Sequence, residues 1–159
     1  MRIPNSNSEG NWPMEMLQPP GWPRAKGYSN GIAAKGTMVF TAGLVGWNEK
    51  EEFETDDFAG QARQAFENIV AVLAEAGAKP EHIVRITWYV GDKAEYLGAL
   101  REVGAAYRDI IGRHYPAMAV IEVKGFVTDW DGRENQSMTK PGVLLWAQTI
   151  KQALPDEYK

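Results

Sequence analysis

The 159-residue chain contains no cysteine. Disulfides, thiolate metal sites and cysteine nucleophiles are therefore excluded. Histidine is scarce: His82 and His114 are the only two, too few for a histidine-rich metal site. Positive charge is also short, with 17 Lys and Arg against 21 Asp and Glu and a net charge of −4. Nucleic acid as a partner would call for a basic face, and none is evident. No apolar run approaches the roughly 18 residues needed to cross a bilayer. The N-terminus lacks the basic-then-apolar pattern of a signal peptide. The default compartment is cytoplasmic, with no nucleic acid and no membrane as partner. No phosphate-cradling glycine loop or nucleophile elbow is present.

What is present suits one globular domain, with 44% apolar and 24% charged residues. Residues 1–27 form an extended arm, because Pro4, Pro13, Pro19, Pro20 and Pro23 exclude helix and central strand. Trp12, Leu17 and Trp22 are apolar enough to pack part of that arm on the domain or on a neighbouring subunit. The domain proper is expected over 28–150, with a frayed tail over 151–159. Its first strand is expected at Tyr28 to Ala34, in a hairpin with Met38 to Ala42. Gly43 follows, where a backbone needs close approach or positive φ.

The clearest periodicity comes next. Ala62, Ala65, Phe66, Ile69, Val72, Leu73 and Ala76 recur at helical spacing and predict a helix over about Asp57 to Ala76. Asp56 or Asp57 is a fitting cap, and Gly77 a fitting stop. Ile83 to Val90 reads as a strand with Arg85, Thr87 and Tyr89 on one face and Trp88 on the other. A second helix is expected over about Ala94 to Ile111. The stretch Tyr115–Val123 then reads as a strand entered through Pro116. Ala117, Ala119, Ile121 and Val123 share one face, on which a helix can lie; Met118, Val120 and Glu122 share the other. Val143 to Ile150 closes the order β β α β α β β.

Two helices cannot cover both faces of that sheet. With both on one face, the other is expected to carry Arg85, Thr87, Tyr89, Met118, Val120 and Glu122. That set is too apolar for water alone, which implies oligomerisation through it.

The blocks Gly-Tyr-Ser-Asn-Gly (27–31), Met-Val-Phe-Thr-Ala-Gly (38–43), Gln-Ala-Arg-Gln-Ala-Phe-Glu-Asn-Ile (61–69), Ala-Gly-Ala-Lys-Pro-Glu-His-Ile-Val (76–84), Thr-Trp-Tyr-Val-Gly-Asp (87–92) and Tyr-Pro-Ala-Met-Ala-Val-Ile-Glu-Val (115–123) occur in order. Together, over residues 24–128, they resemble the Rid (YjgF/YER057c/UK114) family. The resemblance implies an α+β, chorismate-mutase-like single domain: a mixed β-sheet with two helices on one face. It also implies a homotrimer with a central barrel and ligand clefts between subunits. The family's best-known activity is hydrolysis of enamines and imines to a keto acid and ammonia, with no metal or organic cofactor.

The resemblance also bears on single positions. The family's carboxylate-binding arginine, two residues after the proline, is Met118 here. Losing such a desolvated charge contact costs about 2–5 kcal/mol. The family's glutamate on the last strand falls on Trp146, and the frequent asparagine on the second helix falls on Gly104. Glu122 is then the candidate catalytic group, as a replacement general base, or else a salt-bridge partner of Arg85. Arg85 is a candidate replacement anion anchor. Tyr28, Trp88, Met118 and Trp146 are candidates for an apolar cleft wall, or for plain packing. Gly43 and Val120 offer backbone groups to a water, and His114 lies at the cleft mouth or in a surface loop. The implied reading is a small-molecule hydrolase with a more apolar cleft, or a ligand-binding trimer without turnover.

Overall fold

The computed structural model describes residues 14–126 and 142–151. The start of the expected arm with Trp12, most of the polar stretch before Val143 and the tail beyond Lys151 lie outside the described residues.

Helix α1 spans Phe58–Glu75. Asp57 takes extended backbone angles, and its carboxylate accepts from Gly60 N at 2.7 Å, which satisfies a donor that the first turn leaves free. Gly77, at φ 63°, turns the chain away after the last turn. The buried stripe is Ala62, Ala65, Phe66, Ile69 and Leu73. Val72, expected on that stripe, lies at its margin and faces solvent.

The main sheet runs β3 (Thr37–Phe40), β7 (Val143–Lys151), β5 (Ile83–Val90), β6 (Ala117–Glu122), and β4 (Leu44–Val45) also pairs with β7. β5 and β6 are parallel and the other pairs antiparallel, so the sheet is mixed. The parallel pair requires a long crossover between its strands. That crossover is helical and was expected to be one helix. It is two: α2 (Lys93–Gly98) and α3 (Leu100–Ile110), separated at Ala99 (φ −105°, ψ 8°). Gly98, a poor helix former, ends the first piece.

The expected hairpin between Tyr28–Ala34 and Met38–Ala42 does not form. β2 (Gly31–Ala33) pairs instead with β1 (Glu15–Leu17), so part of the arm docks as a strand. β3 gives its ladder to β7. The segment before β2 is latched to the start of β6. Ser29 N donates to Pro116 O at 3.0 Å, and Ser29 Oγ donates to Tyr115 O at 2.5 Å.

Register overturns the expected faces of β6. In the β5–β6 ladder, Ile86 lies beside Met118, Trp88 beside Val120 and Val90 beside Glu122. Ile86, Trp88 and Val90 are buried in the core that α1 and α3 close. Met118, Val120 and Glu122 therefore lie on the helix-facing side. Ala117, Ala119 and Ile121 share the opposite side with Arg85, Thr87 and Tyr89. Alternation separates the two sets, but only the neighbouring strand says which set is inside. The outer face instead gains Trp146, which pairs with Thr87, and Phe40 and Met38, which pair with Gln148 and Ile150.

The core is sealed by aromatic edges. Phe66 meets Trp88 at 5.4 Å and Tyr107 at 5.5 Å between ring centroids, both edge-on, a geometry that adds about 0.5–1.5 kcal/mol to burial. Among the described residues, no helix is long and apolar enough to cross a membrane.

Candidate functional site

Between the inner face of β5–β6 and α3 the helix leaves the sheet uncovered, and a cleft of about 670 Å³ opens there. That volume suits a small organic ligand. Trp88, Met118 and Val120 form its floor. Tyr96 and Leu100 close one end, Val103, Gly104 and Tyr107 of α3 make a wall, and the exposed Arg108 continues that wall to the mouth. Lys26, Gly27, Tyr28 and Tyr115 border the mouth. Tyr28 reaches that position because Ser29 is tied to β6 immediately after it.

The lining is mostly apolar and aromatic. Tyr107 stacks on Tyr115 at 5.5 Å and 12°, and its hydroxyl donates to His114 O at 2.5 Å. Burial, with Tyr115 beside it, raises the Tyr107 pKa well above the usual phenol value. Burial also raises that of Tyr96. Both phenols stay protonated at neutral pH and serve as donors, not bases. Trp88 is 5% exposed, and its indole N–H meets no acceptor among the described residues. A buried unpaired donor costs about 1–3 kcal/mol. Among the described residues, no Asp or Glu lines the cleft.

Four expected cleft residues, Tyr28, Trp88, Met118 and Val120, thus come together in one chain. The others lie elsewhere within that chain. Glu122 stands two residues beyond Val120 on the inner face, where its Oε1 accepts from Lys93 N at 2.8 Å and helps cap α2. Asp92 completes that cap with bonds from Ala94 N and Glu95 N. Arg85 is exposed on the outer face, and its Nε donates to Thr87 Oγ1 at 3.3 Å. No ion pair joins it to Glu122, which lies five register positions along and on the other face. His114 holds its Nε2 2.6 Å from Ile83 O, so that nitrogen carries the proton and donates. It tethers the loop before β6 to the start of β5. Gly43 is a packing glycine: a Cβ there would sit 2.7 Å from Leu144 Cδ2. Trp146 is 39% exposed on the outer face.

Tyr107, Tyr115, Lys26 and Arg108 are cleft residues that pattern reading missed. The available signal for Arg108 was its spacing of four from Gly104, which puts it one turn along the same helix face. No group of three or more His, Cys, Asp or Glu among the described residues can hold a metal.

Residues 22–131 match the family model described as Endoribonuclease L-PSP, which covers the β-strands and helices that build the cleft up to β6. The chain belongs to this family. The family also goes by the names Rid and YjgF. A 2-iminobutanoate/2-iminopropanoate deaminase of Salmonella typhimurium is 34% identical over 91 residues, 55% of this chain and 68% of that protein. A RutC family protein of Pyrococcus abyssi is 31% identical over 103 residues, 64% of this chain and 77% of its own. A Rid-family protein of Yersinia pestis has the same fold, with a TM-score of 0.71 at 22% identity over 87% of this chain and 98% of that one. The YjgF gene product of Escherichia coli superposes with a TM-score of 0.57 at 27% identity, over 79% of this chain and 88% of its own. The chain therefore has the α+β Rid fold, a mixed sheet backed by helices.

Proposed function

We propose that this Rid-family protein is a small-molecule hydrolase of the enamine/imine deaminase type, with a more apolar cleft than the family's imino-acid deaminases. The observation that carries the reading is Met118 on the cleft floor, beside Trp88 and Val120. In this reading Met118 stands where those deaminases hold the substrate carboxylate with an arginine. A forked guanidinium makes two charge-assisted bonds to a carboxylate, and a thioether makes none. At about 2–5 kcal/mol for the lost contact, a short 2-imino acid binds at least tenfold worse here.

The reaction needs little from the protein. An enamine tautomerises to an imine; water adds to the imine carbon; the protonated nitrogen leaves as ammonia and a carbonyl remains. The cleft supplies aromatic walls, the Tyr96 phenol kept neutral by burial, and an indole N–H with no acceptor among the described residues. Glu122 Oε2, just past Val120, orients the water in this reading, while Oε1 holds α2. The active form is a homotrimer associating through the outer sheet face. Arg85 and Trp146, which face away from their own cleft, then reach the cleft of a neighbouring subunit.

A second reading is a ligand-binding trimer without turnover, and the absence of any carboxylate from the cleft lining among the described residues favours it. Ammonia release separates the two. With 2-aminoacrylate generated in situ, turnover is expected to be slight. An imine with an aromatic body is expected to be hydrolysed faster. Met118→Arg should raise activity on 2-aminoacrylate by tenfold or more. Robust wild-type turnover of 2-aminoacrylate would refute the role given to Met118, and no turnover of either substrate would leave the binding reading.

A further inference from the structure

We propose that the polarity of this cleft is inverted, with an apolar floor and an anion anchor at the mouth made by Arg108 on α3 and assisted by Lys26 from the arm. The ligand class that follows is an aromatic or branched apolar body carrying one carboxylate, inserted body first. The inference rests on the cleft reading above and names what that cleft takes.

Arg108 and Lys26 both line the cleft and are otherwise exposed. The single ion pair among the described residues joins Arg63 to Asp109 at 2.8 Å. Asp109, the nearest carboxylate in sequence to Arg108, is thereby held toward α1. Neither Arg108 nor Lys26 pairs with a carboxylate among the described residues. Two cations at the mouth of an aromatic cleft, unpaired and with no acidic side chain in the lining among the described residues, attract an anion.

Gly104 explains how Arg108 reaches the cleft. Long helical side chains lean toward the preceding turn. The Arg108 guanidinium lies over Gly104, where an added Cβ would come within 3.3 Å of Nη1. Any side chain at 104 would compete for that space. A mid-helix glycine is unfavourable by about 1 kcal/mol relative to alanine, and here its bareness gives the guanidinium room. Trp88 adds an independent mark of a ligand, since its buried indole N–H has no acceptor among the described residues. A single-ring acid would fill the space over Met118 and Val120 and leave its carboxylate near Arg108.

The test compares 3-phenylpropanoate with its neutral isostere 3-phenylpropanamide, by calorimetry on the full chain. The wild type is expected to bind the acid at least tenfold tighter than the amide. Arg108→Gln should remove most of that preference and leave the amide within twofold. Gly104→Asn should weaken the acid in the same direction, and Lys26→Gln should do so to a smaller extent. Each variant's melting temperature, matched to wild type, excludes misfolding as the cause. Equal binding of acid and amide, binding of neither, or a preference that survives Arg108→Gln would each overturn the anchor. If the preference instead vanishes in Arg85→Gln, the anchor belongs to a neighbouring subunit's outer face. Ammonia release is scored separately. Acid preference without turnover removes the hydrolase reading and keeps the anchor; turnover without acid preference removes the anchor alone.

Discussion

Gly46 and Gly98 are the same residue under different constraints. A Cβ on Gly46 would lie 2.3 Å from Gln61 O and 2.6 Å from Gln61 Cα, both backbone atoms of α1. A Cβ on Gly98 meets nothing within 4 Å. Gly46 therefore sets how closely the chain after β4 approaches the helix, and Asn68 fastens the same approach by donating to Val45 O and Trp47 O. Gly46→Ala is expected to destabilise by about 1–3 kcal/mol through overpacking. Gly98→Ala should be neutral or stabilise by up to about 1 kcal/mol. Chemical denaturation of the two variants checks the contrast, and equal effects would sink it. His82 shows the same dependence on local partners. Its Nδ1 accepts from Lys79 N at 2.9 Å, and desolvation lowers its pKa, so the 3₁₀ turn before β5 uses it as a neutral acceptor.

At the scale of elements, α2 is short and rests on its N-terminal cap. It spans Lys93–Gly98, has no fully buried residue, and donates its first backbone N–H groups to the Asp92 and Glu122 carboxylates. Six residues make a marginal helix without such help. Glu122→Ala should cost about 1 kcal/mol of stability, the ordinary worth of a cap. Glu122→Gln keeps an oxygen acceptor and should stay within about 0.5 kcal/mol of wild type. If Glu122 also orients the hydrolytic water, Glu122→Gln loses turnover of an imine with an aromatic body by tenfold or more while its melting temperature holds. Unchanged turnover in Glu122→Gln would reduce the residue to a cap. Because α2 carries Tyr96 at the cleft end, fraying in Glu122→Ala should also weaken ligand binding.

For the whole molecule, the outer sheet face is the feature that no other element among the described residues covers. Met38, Phe40, Ile121 and Trp146 are 64%, 55%, 45% and 39% exposed there. Apolar side chains gathered on one face mark an interaction surface. The proposed trimer would bury them, and a charge in their midst would oppose it. Trp146→Glu is expected to shift the molar mass measured by light scattering from three chains toward one. A wild type that runs as a monomer at micromolar concentration would defeat the trimer. A variant that stays trimeric would place the interface elsewhere.

The helix spacing of Ala62, Ala65, Phe66, Ile69 and Leu73, the Asp57 cap and the Gly77 stop were legible because each is a local property of a few neighbouring residues. So were the existence of β5, β6 and β7, which needs only alternation or branched runs. The ordered blocks carried the family. Pairing was not legible. Which strand accepts β2, and which face of β6 turns inward, depend on hydrogen bonds to residues far along the chain. The sequence periodicity of 115–123 is the same for either orientation. The cleft was legible in part for the same reason. Tyr28, Trp88, Met118 and Val120 line one cleft within the chain, where the resemblance implied a cleft between subunits, and Arg85 and Trp146 turn outward with their strands. By itself the sequence determined the family, helix α1 and strands β5, β6 and β7, since these follow from residue type and short-range order. Only the tertiary structure decided that Met118 faces α3, that Glu122 caps α2, and that Arg108 looks over the bare Gly104 into the cleft. Those outcomes are set by register and by packing between segments that share no local signal.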